Sequence, residues 1–280
     1  MMDDLKTHAE NTWCPGCGNF GILNAVKKAV HILEEDGISR KTLAISAGIG
    51  CHAKIFDYLA LSGLYSIHGR AVATIQGMKV ANPGLKVMAF AGDGDAYGEG
   101  IAHLIFAAKR NADITVIVHN NGVYGLTTGQ FTPTSEKGYR GPSTPLGSVE
   151  EPLNPLTLML EAGATFVARG YPGKITHLAS LIVEAVHHEG FSFIDVLQPC
   201  VTFNNTYELY NERVRILQEV PATYEEAIRE ARKKDTLSIG IFHQRSTPVY
   251  HRELYGDWNP VTNSHTREQR RERVRDLLSP

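Results

Sequence analysis

The sequence has no long apolar run, no excess of charge and very little cysteine, and each absence narrows what the chain can be. No stretch approaches the roughly 20 apolar residues of a membrane helix, so no membrane association is expected. A formal net charge of −2 over 280 residues removes the electrostatic case for nucleic acid. The start, MMDDLKTHAENTW, lacks the basic and apolar regions of a secretory signal, so a cytoplasmic location is expected. There is no internal repeat. What is present is apolar substance: 42 % of residues are hydrophobic, enough for a sizeable core in one large domain or two small ones.

Periodicity orders that substance. Ile22, Val26, Ala29 and Leu33 share one helical face, and Asp36-Gly37 ends the helix. A short apolar run at 42–47 reads as a strand entering Gly48-Ile49-Gly50-Cys51. Further helices are predicted over 71–80, 99–110, 155–162 and 175–188, and further strands over 86–91, 114–119, 165–168 and 192–197. Alternating helices and nearly unbroken apolar strands predict an α/β fold, a mostly parallel sheet with helices on both faces. Residues 122–155 are rich in Gly, Thr, Ser and Pro; a loop of that length is functional or disordered. We expect a domain over 1–200 and an extension or arm over 201–280, with helices over 224–233 and 267–278.

Three predicted strands end in small or polar residues that packing alone does not require: GIGCH (48–52), GDGD (92–95) and HNNGVYGL (119–126). Ligands bind outside the carboxyl ends of parallel strands, so these loops should converge. Gly92 and Gly94 let the backbone approach a ligand, and the following helix turns its free N–H groups toward the same place, which suits phosphate. Asp93 is a carboxylate where phosphate would sit. A cation is then needed between them, and Mg2+ with oxygen ligands is the usual one. Asn121 and the Val123 carbonyl could supply further oxygens. GDG alone is only a tight turn, or Asp93 a helix cap. GDG followed by helix, strand and Asn-Asn resembles the thiamine-diphosphate motif. That resemblance implies Mg2+ held by Asp93, Asn121 and the Val123 carbonyl, with phosphate oxygens on the amides of Gly94 and Asp95.

The four cysteines are Cys14, Cys17, Cys51 and Cys200. A few buried thiols is the bland reading. CxxC opening a helix invites a redox-active dithiol, but such motifs follow a strand, and here polar residues precede it. A zinc site usually pairs two CxxC knuckles, and this chain has one. The third possibility is an iron–sulfur cluster on all four thiolates. It suits a thiamine site, because decarboxylation of a 2-oxoacid leaves electrons that a nearby one-electron acceptor can take.

WCPGCG, GIGC, HGRA (68–71), GDGDAYGEG, NNGVYGLT and the late QPC together resemble the β subunits of 2-oxoacid:ferredoxin oxidoreductases, over residues 12 to about 205. The resemblance implies CoA-dependent oxidative decarboxylation of a 2-oxoacid, with electrons passing to ferredoxin. It implies a [4Fe–4S] cluster on Cys14, Cys17, Cys51 and Cys200. Ile49, Gly50, Cys51 and His52 would contact the cofactor on one side, and Gly125 and Leu126 on the other. His68 falls in a motif near the active centre, where it is either functional or structural. A lysine at the place of Lys54 goes with 2-oxoglutarate or broad specificity, since an ammonium pairs with a second carboxylate. Leu126 stands where pyruvate-preferring members tend to have a polar residue. The glutamate that activates thiamine belongs to a separate α subunit in this family, so the chain is expected to need that partner.

Overall fold

Apolar strands need cover on both faces, and the computed structural model, which describes residues 2–256 and 258–279, provides it. Eight strands, β1 (Leu43–Ala47), β2 (Ser62–Tyr65), β3 (Lys86–Gly92), β4 (Ile114–Asn120), β5 (Phe166–Gly170), β6 (Phe191–Leu197), β7 (Val214–Ile216) and β8 (Leu237–Gln244), form one sheet in the order β2-β1-β3-β4-β6-β5-β8-β7. All neighbours pair in parallel except β5 and β8.

Helices α1 (Asn19–Glu35) and α6 (Ile175–His187) cover one face, packing with Ile45, Phe90, Ile117 and Ile194. Ile22, Val26, Ala29 and Leu33 of α1 are fully buried there, and each Ile, Val or Leu so buried stabilises the fold by roughly 1.5–3 kcal/mol. Val116 and Val118, the other parity of β4, face a second core, as a side-chain period of two requires. That core holds apolar residues of α3 (Ala71–Ala81), α4 (Ile101–Lys109) and α5 (Pro155–Glu161).

The remaining helices are α2 (Ile55–Tyr58), α7 (Tyr207–Arg213), α8 (Tyr224–Ala231), α9 (Tyr250–Tyr255) and α10 (Arg267–Leu278). A capping box at Thr223 and Glu226 starts α8, and its Ala227 and Ala231 join the second core. Two features differ from the sequence reading. A π-helical turn, Gly94–Glu99, precedes α4, with the Gly100 amide bonded to the Asp95 carbonyl at 2.8 Å. Strands β2, β7 and β8 also had no predicted counterpart: β2 is short and largely exposed, and β8 joins β5 through a register shift. Within 201–280, therefore, β8 extends the sheet, while α10 is exposed along its described length. Among the described residues no helix is long and apolar enough to cross a membrane.

Candidate active site

Strands β1, β3, β4 and β6 are consecutive neighbours running the same way. The registers Ala47↔Phe90, Gly92↔His119 and Asn120↔Leu197 align their carboxyl ends, so the loops after all four meet on one sheet edge. GIGCH, GDGD, NNGVYGL and QPC all lie there.

The first three loops enclose a cavity of about 70 Å³ whose wall includes Ile49, Gly50, His52, His68, Asp93, Gly94, Asp95, Asn121, Val123, Gly125 and Leu126. Asp93, 2 % exposed, has one carboxylate oxygen, Oδ2, accepting from Thr132 Oγ1 at 2.5 Å and Thr134 Oγ1 at 2.8 Å. Burial pushes this carboxyl up, against those two hydrogen bonds, so a cation would favour its charged form. Asn121 Oδ1 accepts from the Val123 amide at 3.0 Å, and Asn121 Nδ2 donates to Gln198 Oε1 at 3.0 Å. An amide oxygen has two lone pairs, leaving one for a metal. These donors are oxygen and hard, which fits Mg2+ beside a diphosphate. Gly94 is required sterically: a Cβ there would stand 2.2 Å from the Tyr124 ring.

Asp95 ties the loops together. Its Oδ1 accepts from the Gly69 amide at 2.6 Å and the Ile49 amide at 3.4 Å, and a Cβ on Gly48 would lie 1.9 Å from Oδ2. Burial alone would raise this carboxyl, but His52, the Gly69 amide and His68 hold it below the usual carboxylate range. His52 Nε2 lies 3.5 Å from Asp95 Oδ2, and His68 Nδ1 lies 3.8 Å from Oδ1. His119 bonds Asn19 through Nδ1 at 2.8 Å. Its pKa is driven well below the ordinary value, first by burial and then by His52.

A second cavity, of about 200 Å³, has all four cysteines in its wall. Cys51, Asn121, Gly125 and Leu126 line both cavities. Above Gly125, a Cβ would be 3.5 Å from Cys51 Sγ and 3.8 Å from Cys200 Sγ. Gly18 lets the start of α1 press on the QPC loop, since a Cβ would be 2.9 Å from Pro199; its amide donates to the Pro199 carbonyl at 3.2 Å. Trp13 Nε1 donates to the Cys51 carbonyl at 2.6 Å, joining the CPGCG and GIGC segments. Burial raises the Cys17 thiol to about 11 and also raises Cys51, where Lys54 opposes the effect. Such thiols become thiolates readily only beside a cationic centre. Among the described residues no three His, Cys, Asp or Glu side chains close on a single ion. Four thiols spaced around one cavity suit a group of several irons.

Lys54 lies in the wall of the cysteine cavity, not of the smaller one, with Nζ donating to Thr12 Oγ1 at 2.9 Å. The other sequence-derived candidates line one or both cavities. Sequence reasoning missed Thr132, Thr134, His119, Asn19 and Gln198. The Thr-Pro-Thr of the long loop carries no periodicity, and His119 and Gln198 looked like strand ends. Only proximity to a motif marked them.

Residues 48–196 match the family model described as thiamine pyrophosphate enzyme, C-terminal TPP binding domain. Residues 200–256 match the family model for the C-terminal part of the pyruvate ferredoxin oxidoreductase beta chain. A 2-oxoacid:ferredoxin oxidoreductase subunit beta from Sulfolobus sp. is 42 % identical over 276 residues, covering 90 % of each chain. One from Saccharolobus solfataricus is 47 % identical over 216 residues, 76 % of this chain and 70 % of the relative. A solved 2-oxoglutarate:ferredoxin oxidoreductase from Magnetococcus marinus, with 2-oxoglutarate, coenzyme A and succinyl-CoA bound, superposes with a TM-score of 0.88. It is 33 % identical and covers 100 % of this chain and 96 % of that one.

Proposed function

From the premise that this chain belongs to the β subunits of the 2-oxoacid:ferredoxin oxidoreductases, we propose that it holds thiamine diphosphate with Mg2+ in the smaller cavity and a [4Fe–4S] cluster in the larger. The observation that carries this reading is the common wall of Cys51, Asn121, Gly125 and Leu126. Cofactor and electron acceptor would be one residue apart.

When bound, thiamine diphosphate supplies the nucleophilic carbon for decarboxylation and the cluster a one-electron acceptor. This chain's residues do the holding. Asp93, fixed by Thr132 and Thr134, would hold Mg2+ together with the Asn121 amide oxygen and the Val123 carbonyl. The amides of Gly94 and Asp95 take phosphate oxygens. Ile49 and Leu126 keep water from the reacting end, with Gly50, Cys51, His52 and Gly125 against the cofactor. His52 and His119 are both buried in the wall of this cavity, with His52 Nε2 against Asp95 Oδ2. His68 stands by Asp95 at the active centre. Cys14, Cys17, Cys51 and Cys200 ligate the cluster.

Asp93 and Asp95 are the only carboxylates among the described residues of the cofactor cavity wall, and both are already engaged. The glutamate facing the aminopyrimidine then comes from an α subunit, which makes the cytoplasmic αβ complex the active unit, with coenzyme A as acyl acceptor and ferredoxin as electron acceptor. Lys54 shares the cysteine cavity with Leu126, which also lines the smaller one; from there its ammonium would reach the distal carboxylate of 2-oxoglutarate only past Leu126, among a broad range of 2-oxoacids.

The test is anaerobic co-purification with the α subunit, followed by iron and sulfide analysis and CoA-dependent dye reduction across 2-oxoacids. A brown complex active on 2-oxoglutarate is expected, with Asp93→Ala losing thiamine diphosphate. A colourless, zinc-loaded complex refutes the cluster, and a cofactor-loaded, active Asp93→Ala refutes the Mg2+ role. Activity confined to pyruvate refutes the part given to Lys54.

A further inference from the structure

Gln198 lies in the wall of the larger cavity and is 1 % exposed. Both ends of its amide are engaged. Oε1 accepts from Asn121 Nδ2 at 3.0 Å, and Nε2 donates to Cys17 Sγ at 3.7 Å and to the Pro199 carbonyl at 2.7 Å. Its backbone is held too, the amide donating to the Asn120 carbonyl at 2.8 Å, while a Cβ on Gly18 would stand 3.0 Å from its Cγ. Turning the amide over would face two N–H donors at Asn121 and leave the sulfur without one. The orientation is therefore set by three partners at once.

We propose, resting on the function assigned above, that Gln198 is a positioning residue serving both cofactors: it fixes the amide of the Mg2+ ligand Asn121 and donates a hydrogen bond to the cluster-ligating sulfur of Cys17. On the thiamine side, Asn121 Nδ2 is committed to Gln198, so Asn121 Oδ1 is the atom left toward the cavity. On the cluster side, an N–H donor to a ligating sulfur stabilises the added electron and raises the reduction potential. One side chain thus sets the metal ligand's orientation and makes its neighbour a better electron acceptor.

Two variants separate these roles in the αβ complex. Gln198→Met keeps the length and removes donor and acceptor alike. Its cluster potential, read by EPR-monitored redox titration, falls, and Mg2+-dependent thiamine diphosphate binding weakens roughly 10-fold or more. Gln198→Glu keeps an acceptor for Asn121, so its cofactor affinity stays within about threefold of wild type, which isolates the Asn121 role. A measurement without any variant is pulsed EPR of the reduced wild-type cluster with isotopically labelled glutamine nitrogen, where weak nitrogen coupling is expected. An unchanged potential in Gln198→Met, or no glutamine coupling in the wild type, overturns the cluster role. Wild-type cofactor affinity in Gln198→Met overturns the Asn121 role. A wild-type complex lacking iron refutes the functional assignment itself, and this inference with it.

Discussion

At the scale of single residues, the site depends on side chains that hold other side chains. Thr132 and Thr134 both donate to one oxygen of Asp93. Removing one leaves a buried acceptor short of a partner, which costs about 1–3 kcal/mol. Thr132→Val is therefore expected to lower stability by that order in urea unfolding and to weaken Mg2+-dependent thiamine diphosphate binding in calorimetry. Gly94 is constrained by space: its Cβ would enter the Tyr124 ring. Gly94→Ala should abolish cofactor binding while the cysteine side keeps its iron, which elemental analysis checks. His119 gives a pH prediction. Burial and His52 depress its folded pKa below the ordinary value, so its contribution to stability is complete above the unfolded pKa and is lost as the pH falls. The slope is at most about 1.4 kcal/mol per pH unit for one group. The ratio of stabilities at about pH 7 and about pH 5 should be closer to one in His119→Asn than in the wild type; equal acid sensitivity in the two would disprove it.

Among the elements, α1 and α10 are opposites. The buried stripe Ile22, Val26, Ala29 and Leu33 of α1 packs on α6 and the sheet, so Leu33→Ala should cost about 2–5 kcal/mol in urea unfolding. For α10 every described residue is exposed. Removing residues 267–280 should change the stability of the complex by no more than a surface substitution does, about 0.5 kcal/mol, read from its melting temperature. A large drop would show that the helix is covered by a partner. Elements with strong periodicity, α1, α6, β3, β4 and β6, were legible in the sequence because their burial pattern repeats along the chain. Strands β2 and β7 were not: they are short, mostly exposed and stabilised by pairing with residues distant in sequence. The π-helical turn after Asp93 escaped for a similar reason, since it bends to meet Gly69 and Tyr124 and leaves no compositional trace.

For the whole molecule, four parallel strand ends meeting on one edge bring glycine-rich loops and thiols together, while the described wall of the smaller cavity holds no glutamate. The purified chain alone is then expected to give no CoA-dependent turnover, and to recover it on mixing with the α subunit. Turnover by the isolated chain would contradict that division of labour.

What the sequence by itself determined is the chemistry available, because GDG with its spaced Asn-Asn, and cysteines beside Pro and Gly, carry constraints within a few residues of each other. The fold class followed from the same local patterns. Only the tertiary structure decided which groups are neighbours. It set Gln198 between Asn121 and Cys17, hung Thr132 and Thr134 on Asp93, and placed Lys54 by the cysteines rather than in the smaller cavity. These are contacts between loops far apart in the chain, set by sheet order and by the packing of α1 against the QPC turn, and no short stretch of sequence encodes a distance of that kind.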